Sequence, residues 1–428
     1  MSEDGKSKKE IIETLRNGLE ILTKEFPWVA GQVVNENKKE NEDTGIFKIT
    51  ALEEIPRFVV RDMGNEGSVP SMEELRNASF PIRMLDETLI APRSTLPGIF
   101  SESSDIPVFI LQATFIRNGL ILTFLGQHQV MDGTGQAQVI SMFSKACRGE
   151  NFTKEELETG NMDRKDIIPL LTKEEETNLG DLHQKLAHQI ISNPSSPNAE
   201  PRQCVWKSFN FSSSSLSELK SLATDDLPSS ASYITTDDAL TAFVWQCVSR
   251  IRLSRFSPNK KSTLARAVNV RHYLKIPPTY PGMVQNMTYN SFTLTQSISS
   301  PLGLIASQLR SNFDPNGSHL NQDTRALATF LNSTKNKSVV SFTASLDLSS
   351  DIALSSWAKQ NSYSLDFGLG LNNPESVRRP HFTPVEGLAY LLPKARNGDI
   401  TLAICLCDTD MDLLKRDEQF TKYATYIP

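Results

Sequence analysis

The residue best suited to moving a proton near neutral pH is His128, in the run LILTFLGQHQVMDGTGQAQVISMFSKAC at 120–147. A neutral imidazole is the commonest biological general base, able to accept a proton near neutral pH. Asp132 follows four residues later, with Gly133 beside it. A carboxylate there can orient the ring or anchor the loop, and neighbouring glycines let the backbone turn tightly. The same spacing suits a histidine that merely ends a strand and hydrogen-bonds locally, so the pair alone leaves catalysis and structure both open.

The surrounding elements put His128 at a strand end. Residues 106–116 and 120–125 are apolar, β-branched runs joined by Asn118-Gly119, a strong hairpin signal. Val139, Ile140, Met142, Phe143 and Ala146 then recur at helical spacing, so strand gives way to helix across the motif. Upstream, Ile11, Leu15, Leu19 and Leu22 share a helical face, and Phe26-Pro27 ends that helix ahead of a strand expected at 28–34. Short strands are expected at 47–49 and 57–60, and one short helix within 68–91. From 173 to 202 the composition shifts to charge and then to Ser, Pro and Asn, as in Asn193-Pro194-Ser195-Ser196-Pro197. Beyond it the pattern predicts strands at 205–211, 263–270 and 286–295, and helices at 213–223, 235–251 and 302–312. Asp237 and Asp238 fall in the first turn of the second of these helices, where negative charge suits the helix dipole. Arg271 follows the strand at 263–270, and a Pro- and Gly-rich loop runs on through Pro281-Gly282. Mixed strands and helices in both halves predict an α/β domain pair: 1–178, a linker at 179–205, and 206–428.

A chain of 428 residues, 39% hydrophobic, exceeds what one core usually supports, so two domains of about 200 residues are expected. The formal charge of -6, from 50 acids and 44 bases without a basic block, argues against nucleic acid or anionic lipid and for a small-molecule partner. The 5 cysteines show no paired framework, which predicts reduced thiols in a cytoplasmic protein. Cys405-x-Cys407 has no second Cys or His pair nearby, so no metal is expected. The Lys-rich start lacks the apolar core of a secretory signal, and no run of about eighteen apolar residues suggests a membrane span.

Ser355-Ser356-Trp357 and Asp366-Phe367-Gly368-Leu369-Gly370 add a second signature. Together with His128-x-x-x-Asp132-Gly133 they resemble the BAHD acyltransferases, enzymes of the chloramphenicol-acetyltransferase-like fold that use acyl-CoA. Over nearly the whole chain the resemblance is to the fungal trichothecene 3-O-acetyltransferases. It runs through Pro27-Trp28-Val29-Ala30-Gly31-Gln32-Val33, Asp163-Arg164-Lys165, Thr236-Asp237-Asp238-Ala239-Leu240 and Pro374-Glu375-Ser376-Val377-Arg378-Arg379-Pro380. The resemblance implies a two-domain α/β fold of mixed sheets with flanking helices and an interdomain channel, with about 366–390 crossing back to the first domain. It makes His128 the general base. Asp132, Gly133, Asp366, Gly368 and Arg271 become structural, with Asp366 paired to Arg271. Ser355, Ser356, Arg266 and Arg378 become the candidates for CoA contact. The implied donor is acetyl-CoA as co-substrate, with no bound cofactor, and the implied acceptor is a hydroxylated fungal secondary metabolite such as a sesquiterpenoid, handled by a monomer.

Departures from the family pattern narrow this. Leu369 stands where plant members carry Trp, which favours the fungal branch. Asn372-Asn373-Pro374-Glu375 replaces Gly-Lys-Pro-Glu and removes a lysine from any CoA contact there. The chain also begins almost at its first helix, where the family has a strand and a loop: either the start is abbreviated or the gene model is, and a missing strand would leave a sheet edge unpaired. Two other readings stay open: a small-molecule-binding homologue that has lost catalysis, and an acyltransferase taking another acyl-CoA or a carrier-bound acyl group. The 366–370 motif and the lack of a carrier domain favour free CoA over a carrier.

Overall fold

The chain builds two units, and each collects several separate stretches. The computed structural model describes residues 6–36, 45–52, 58–96, 106–191, 202–314 and 317–428. One unit comprises Met1–Lys165, Ile276–Val284 and Gln360–Thr383; the other comprises Asp166–Lys275, Gln285–Lys359 and Pro384–Pro428. The division therefore falls at Lys165 and not at 178. The short helices Lys173–Leu179 and Leu182–Lys185 pack leucines with Leu327 and Phe330, which belong to the second unit. Of the linker expected at 179–205, the stretch Asn193 to Pro197 lies outside the described residues. The crossing segment ends at Thr383 because Leu388–Leu391 is already a strand of the second unit.

In the first unit, the helix Lys8–Glu25 starts at Ser7 with a capping box closed by Glu10 and buries Ile11, Leu15, Leu19 and Leu22. Each such aliphatic side chain contributes about 1.5–3 kcal/mol relative to exposure. Pro27–Ala30 then turns as a 3-10 helix with Val29 buried, while Trp28 Nε1 donates to the Gly160 carbonyl at 2.9 Å. These anchors shorten the strand expected at 28–34 to β1 (Gln32–Glu36), which pairs antiparallel with β2 (Ile46–Thr50). The helix expected within 68–91 is two, Met72–Asn77 and Glu87–Ile90, interrupted where Ser79 and Phe80 take φ of 63° and 54°.

β3 (Phe58–Asp62), β4 (Phe109–Ile116) and β5 (Gly119–Gly126) form a three-stranded sheet, parallel between β3 and β4 and antiparallel between β4 and β5. The Asn-Gly signal does make a hairpin, but one residue earlier than its usual tip. Ile116 pairs with Gly119 and Asn118 alone takes the left-handed conformation, φ 58°. Every residue of β4 is buried, and the helix Gly133–Cys147 packs Val139, Met142, Phe143 and Ala146 into the same core.

The second unit is a seven-stranded sheet in the order β12-β6-β11-β10-β9-β7-β8. Its strands are β6 (Cys204–Phe211), β7 (Lys261–Asn269), β8 (Gln285–Thr293), β9 (Ile352–Ser356), β10 (Leu388–Leu391), β11 (Ile400–Cys407) and β12 (Ala424–Ile427). β9 runs parallel to both its neighbours, while the remaining pairs are antiparallel. The helix Thr236–Arg252 is buried on nearly every side and fixed by Trp245 Nε1 donating to Ser262 Oγ at 3.0 Å. All five cysteines are free thiols, and no described helix is long and apolar enough to cross a membrane.

Candidate active site

β5 ends at Gly126, and the chain then closes a tight turn. The Gln127 N–H donates to the Val108 carbonyl at 2.8 Å, and the Gln127 carbonyl accepts from the N–H groups of Val130 (2.9 Å) and Met131 (3.1 Å). Gln127, Val130 and Met131 are buried, which leaves His128 and Gln129 exposed at the crest. Among the described residues His128 makes no hydrogen bond. Its two ring nitrogens are therefore available to a ligand, unlike a triad histidine whose Nδ1 is held by a carboxylate.

Asp132 has its carboxylate engaged by backbone groups. It is 3% exposed and caps the helix Gly133–Cys147: Oδ1 accepts from the Gly135 N–H and Oδ2 from the Val284 N–H, both at 2.8 Å. Two further contacts secure this end of the loop. Gln360 Nε2 donates to the Gly133 carbonyl at 3.0 Å, and the Pro281 carbonyl lies so near Gly135 that a Cβ there would run into it. Gly135→Ala should therefore lower stability by about 1–3 kcal/mol, the usual cost of overpacking. A helix-propensity gain of about 1 kcal/mol offsets only part of that. Thermal melts check it; an unchanged or raised melting temperature would show that the loop yields freely.

The 366–370 motif is built into the core. Phe367 stacks on Phe124 (centroids 5.7 Å apart, planes at 20°) and meets Phe143 at 5.8 Å, and Leu369 is buried with them. Gly368 and Gly370 adopt φ of 64° and 71°, which favours glycine there. Lys6 Nζ donates to the Gly368 carbonyl at 2.7 Å. The Asp366 carbonyl accepts from Ser144 Oγ at 2.6 Å and from Arg148. Its exposed carboxylate has one hydrogen-bond partner among the described residues, the Gly368 N–H at 2.8 Å. Arg271, the residue expected to pair with it, belongs to the second unit, where it is buried and donates to Asn269 Oδ1 at 3.0 Å. Arg378 spends its donors on the Phe80 (3.1 Å), Val377 (2.9 Å) and Ser79 (3.4 Å) carbonyls and on the Tyr363 hydroxyl (3.4 Å). Burial pulls its pKa below the ordinary arginine value, against the opposing pull of Tyr363.

In the second unit Ser356 and Arg266 converge on the start of the helix Thr236–Arg252. Arg266 donates to Asp237 and, at 2.8 Å, to Asp238, while Ser356 Oγ donates to Asp237. Burial alone would raise the Asp238 carboxyl; the Arg266 charge and the Thr235 hydroxyl outweigh it and hold the pKa below the aspartate value. Ser355 is placed differently. Its oxygen accepts from Trp357 Nε1 at 3.1 Å, and among the described residues its own O–H donates to no partner. Glu386, Cys407 and Asp410 also cluster, but Arg255 engages both carboxylates, each at 2.6 Å, and makes the group an ion-pair network.

The model of the trichothecene 3-O-acetyltransferase-like N-terminal domain matches residues 1–147. The chain is also 46% identical to trichothecene 3-O-acetyltransferase TRI101 of Fusarium sporotrichioides, across 97% of this chain and 90% of that protein. It belongs to the trichothecene 3-O-acetyltransferase-like family. O-acetyltransferase dmxR13 of Cryptosporiopsis sp. (strain 8999) is 48% identical over 99% of this chain and 92% of its own length. The crystal structure of F. graminearum TRI101 with coenzyme A and deoxynivalenol matches with a TM-score of 0.92 at 43% identity, covering 98% of this chain and 92% of that one. The chain is thus an O-acetyltransferase, and the two-domain α/β acyltransferase fold expected from its sequence is the fold found.

Within this family member, sequence pattern singles out His128, Asp132 and Gly133 but gives no sign of Val284, Pro281 or Gln360, which hold them. Two of those three act through backbone groups, which any residue type supplies. The Pro281-Gly282 pair marks a loop without marking its partner.

Proposed function

We propose that the protein transfers the acetyl group of acetyl-CoA to a hydroxyl of a fungal secondary metabolite, a sesquiterpenoid alcohol of the trichothecene type, with His128 as general base. The observation that carries this reading is the bare imidazole of His128 on a turn whose backbone is hydrogen-bonded on both sides. A neutral ring nitrogen takes the hydroxyl proton as the alcohol oxygen bonds to the thioester carbon. The tetrahedral intermediate then expels the CoA thiolate, which receives that proton. Base catalysis of this kind supplies about 10²–10⁴-fold; positioning and donors to the oxyanion supply the rest. Ser355 is the best-suited donor among the four proposed CoA contacts, because its O–H donates to no acceptor among the described residues. We assign Ser356, Arg266 and Arg378 to bracing, since their donors are taken by the protein. The donor and acceptor classes rest on the bound coenzyme A and deoxynivalenol of the Fusarium relative. We place it in the cytoplasm, a reducing compartment that suits five free thiols, and take it to act as a monomer.

A panel of sesquiterpenoid alcohols, assayed by release of CoA thiol from acetyl-CoA, tests the acceptor class. At least one should raise release more than about tenfold over hydrolysis, as base-assisted transfer requires. Equal release with and without every alcohol would overturn the assignment.

A further inference from the structure

We propose that Gln360 is a positioning residue for the reaction, acting on His128 through the backbone of the motif. This rests on the reading of His128 as the base. With no hydrogen bond of its own among the described residues, the imidazole takes its place from the backbone that carries it. One end of that turn is fixed at Gln127, whose N–H donates to the Val108 carbonyl. The other end is fixed around Asp132 and Gly133, where the single side chain from outside the motif that hydrogen-bonds Gly133 is the Gln360 amide, at 3.0 Å among the described residues.

The chemistry of that contact is specific. A main-chain carbonyl only accepts, and of the two ends of the Gln360 amide only the NH₂ donates. Gln360 is partly buried, so a lost bond is not fully replaced by water. Glutamate at 360 would keep size and shape but set an ionised acceptor against the Gly133 carbonyl. Leucine would remove polarity altogether. Either change removes one hold on the start of the helix Gly133–Cys147, next to the turn that carries His128, while the Asp132 cap and the core beneath stay intact. Small displacements of a catalytic group are costly: about 1 Å can cost 10²-fold.

The test is a mutant cycle on the full-length protein with acetyl-CoA and the best alcohol of the acceptor panel. Gln360→Glu and Gln360→Leu should each lower kcat by about 10–100-fold, with the KM for acetyl-CoA and the melting temperature near wild type. In a His128→Ala background, adding Gln360→Glu should change the residual rate by less than about twofold, because residues acting as a unit are not additive. Wild-type turnover in both Gln360 variants would overturn the proposal. So would a loss that multiplies fully on top of His128→Ala, or one matched by a fall in melting temperature. If His128→Ala alone remains active, the base assignment fails and the proposal with it; silent Gln360 variants beside an inactive His128→Ala defeat this proposal only.

Discussion

Replacing His128 with alanine should lower turnover by about 10²–10⁴-fold, the usual contribution of a general base, and leave the melting temperature within a few degrees of wild type. The two effects separate because the ring is exposed and makes no hydrogen bond among the described residues. Removing it opens no cavity and strands no partner, the mechanisms behind large destabilisation. Gln127, Val130 and Met131 keep the turn folded without it. Thiol release and a thermal melt on the same preparation decide the matter. Activity within about tenfold of wild type would remove His128 from the chemistry.

Asp132→Ala should do the reverse, with stability falling first and rate following. Losing the helix cap costs about 0.5–2 kcal/mol. The Val284 N–H would also lose its acceptor, at about 1–3 kcal/mol for a buried donor left unpaired. Together these should lower the melting temperature by roughly 5–15 °C for a domain of this size. Asp132→Asn should fall between, because the amide keeps one accepting oxygen where the carboxylate has two. A normal melt with a collapsed rate in either variant would contradict the bracing role and mean that Asp132 acts on the imidazole directly.

What could be read from the sequence was what short-range periodicity encodes. The buried face of Lys8–Glu25, the hairpin ahead of His128 and the helix after it follow from spacings of two and of three to four residues. The strand expected from Trp28 failed because the indole and Val29 are claimed by distant partners, which local pattern does not contain. The visit of Ile276–Val284 to the first unit was hidden for the same reason. At Arg266 and Arg378 the sequence shows a guanidinium without its partners, which in the fold are acids and backbone carbonyls. The resemblance implied a structural Asp132, while the Gly135 and Val284 N–H groups bonded to its carboxylate are visible only in the fold.

The most direct test of the chemistry is a single-turnover reaction of the protein with acetyl-CoA, run with and without the preferred alcohol and followed by the mass of both protein and alcohol. Base-catalysed transfer predicts that acetyl appears on the alcohol oxygen in step with free CoA thiol, and that the protein mass is unchanged in both arms. Acetyl on the protein before alcohol is added, or thiol release without an acetylated alcohol, would contradict direct transfer by His128.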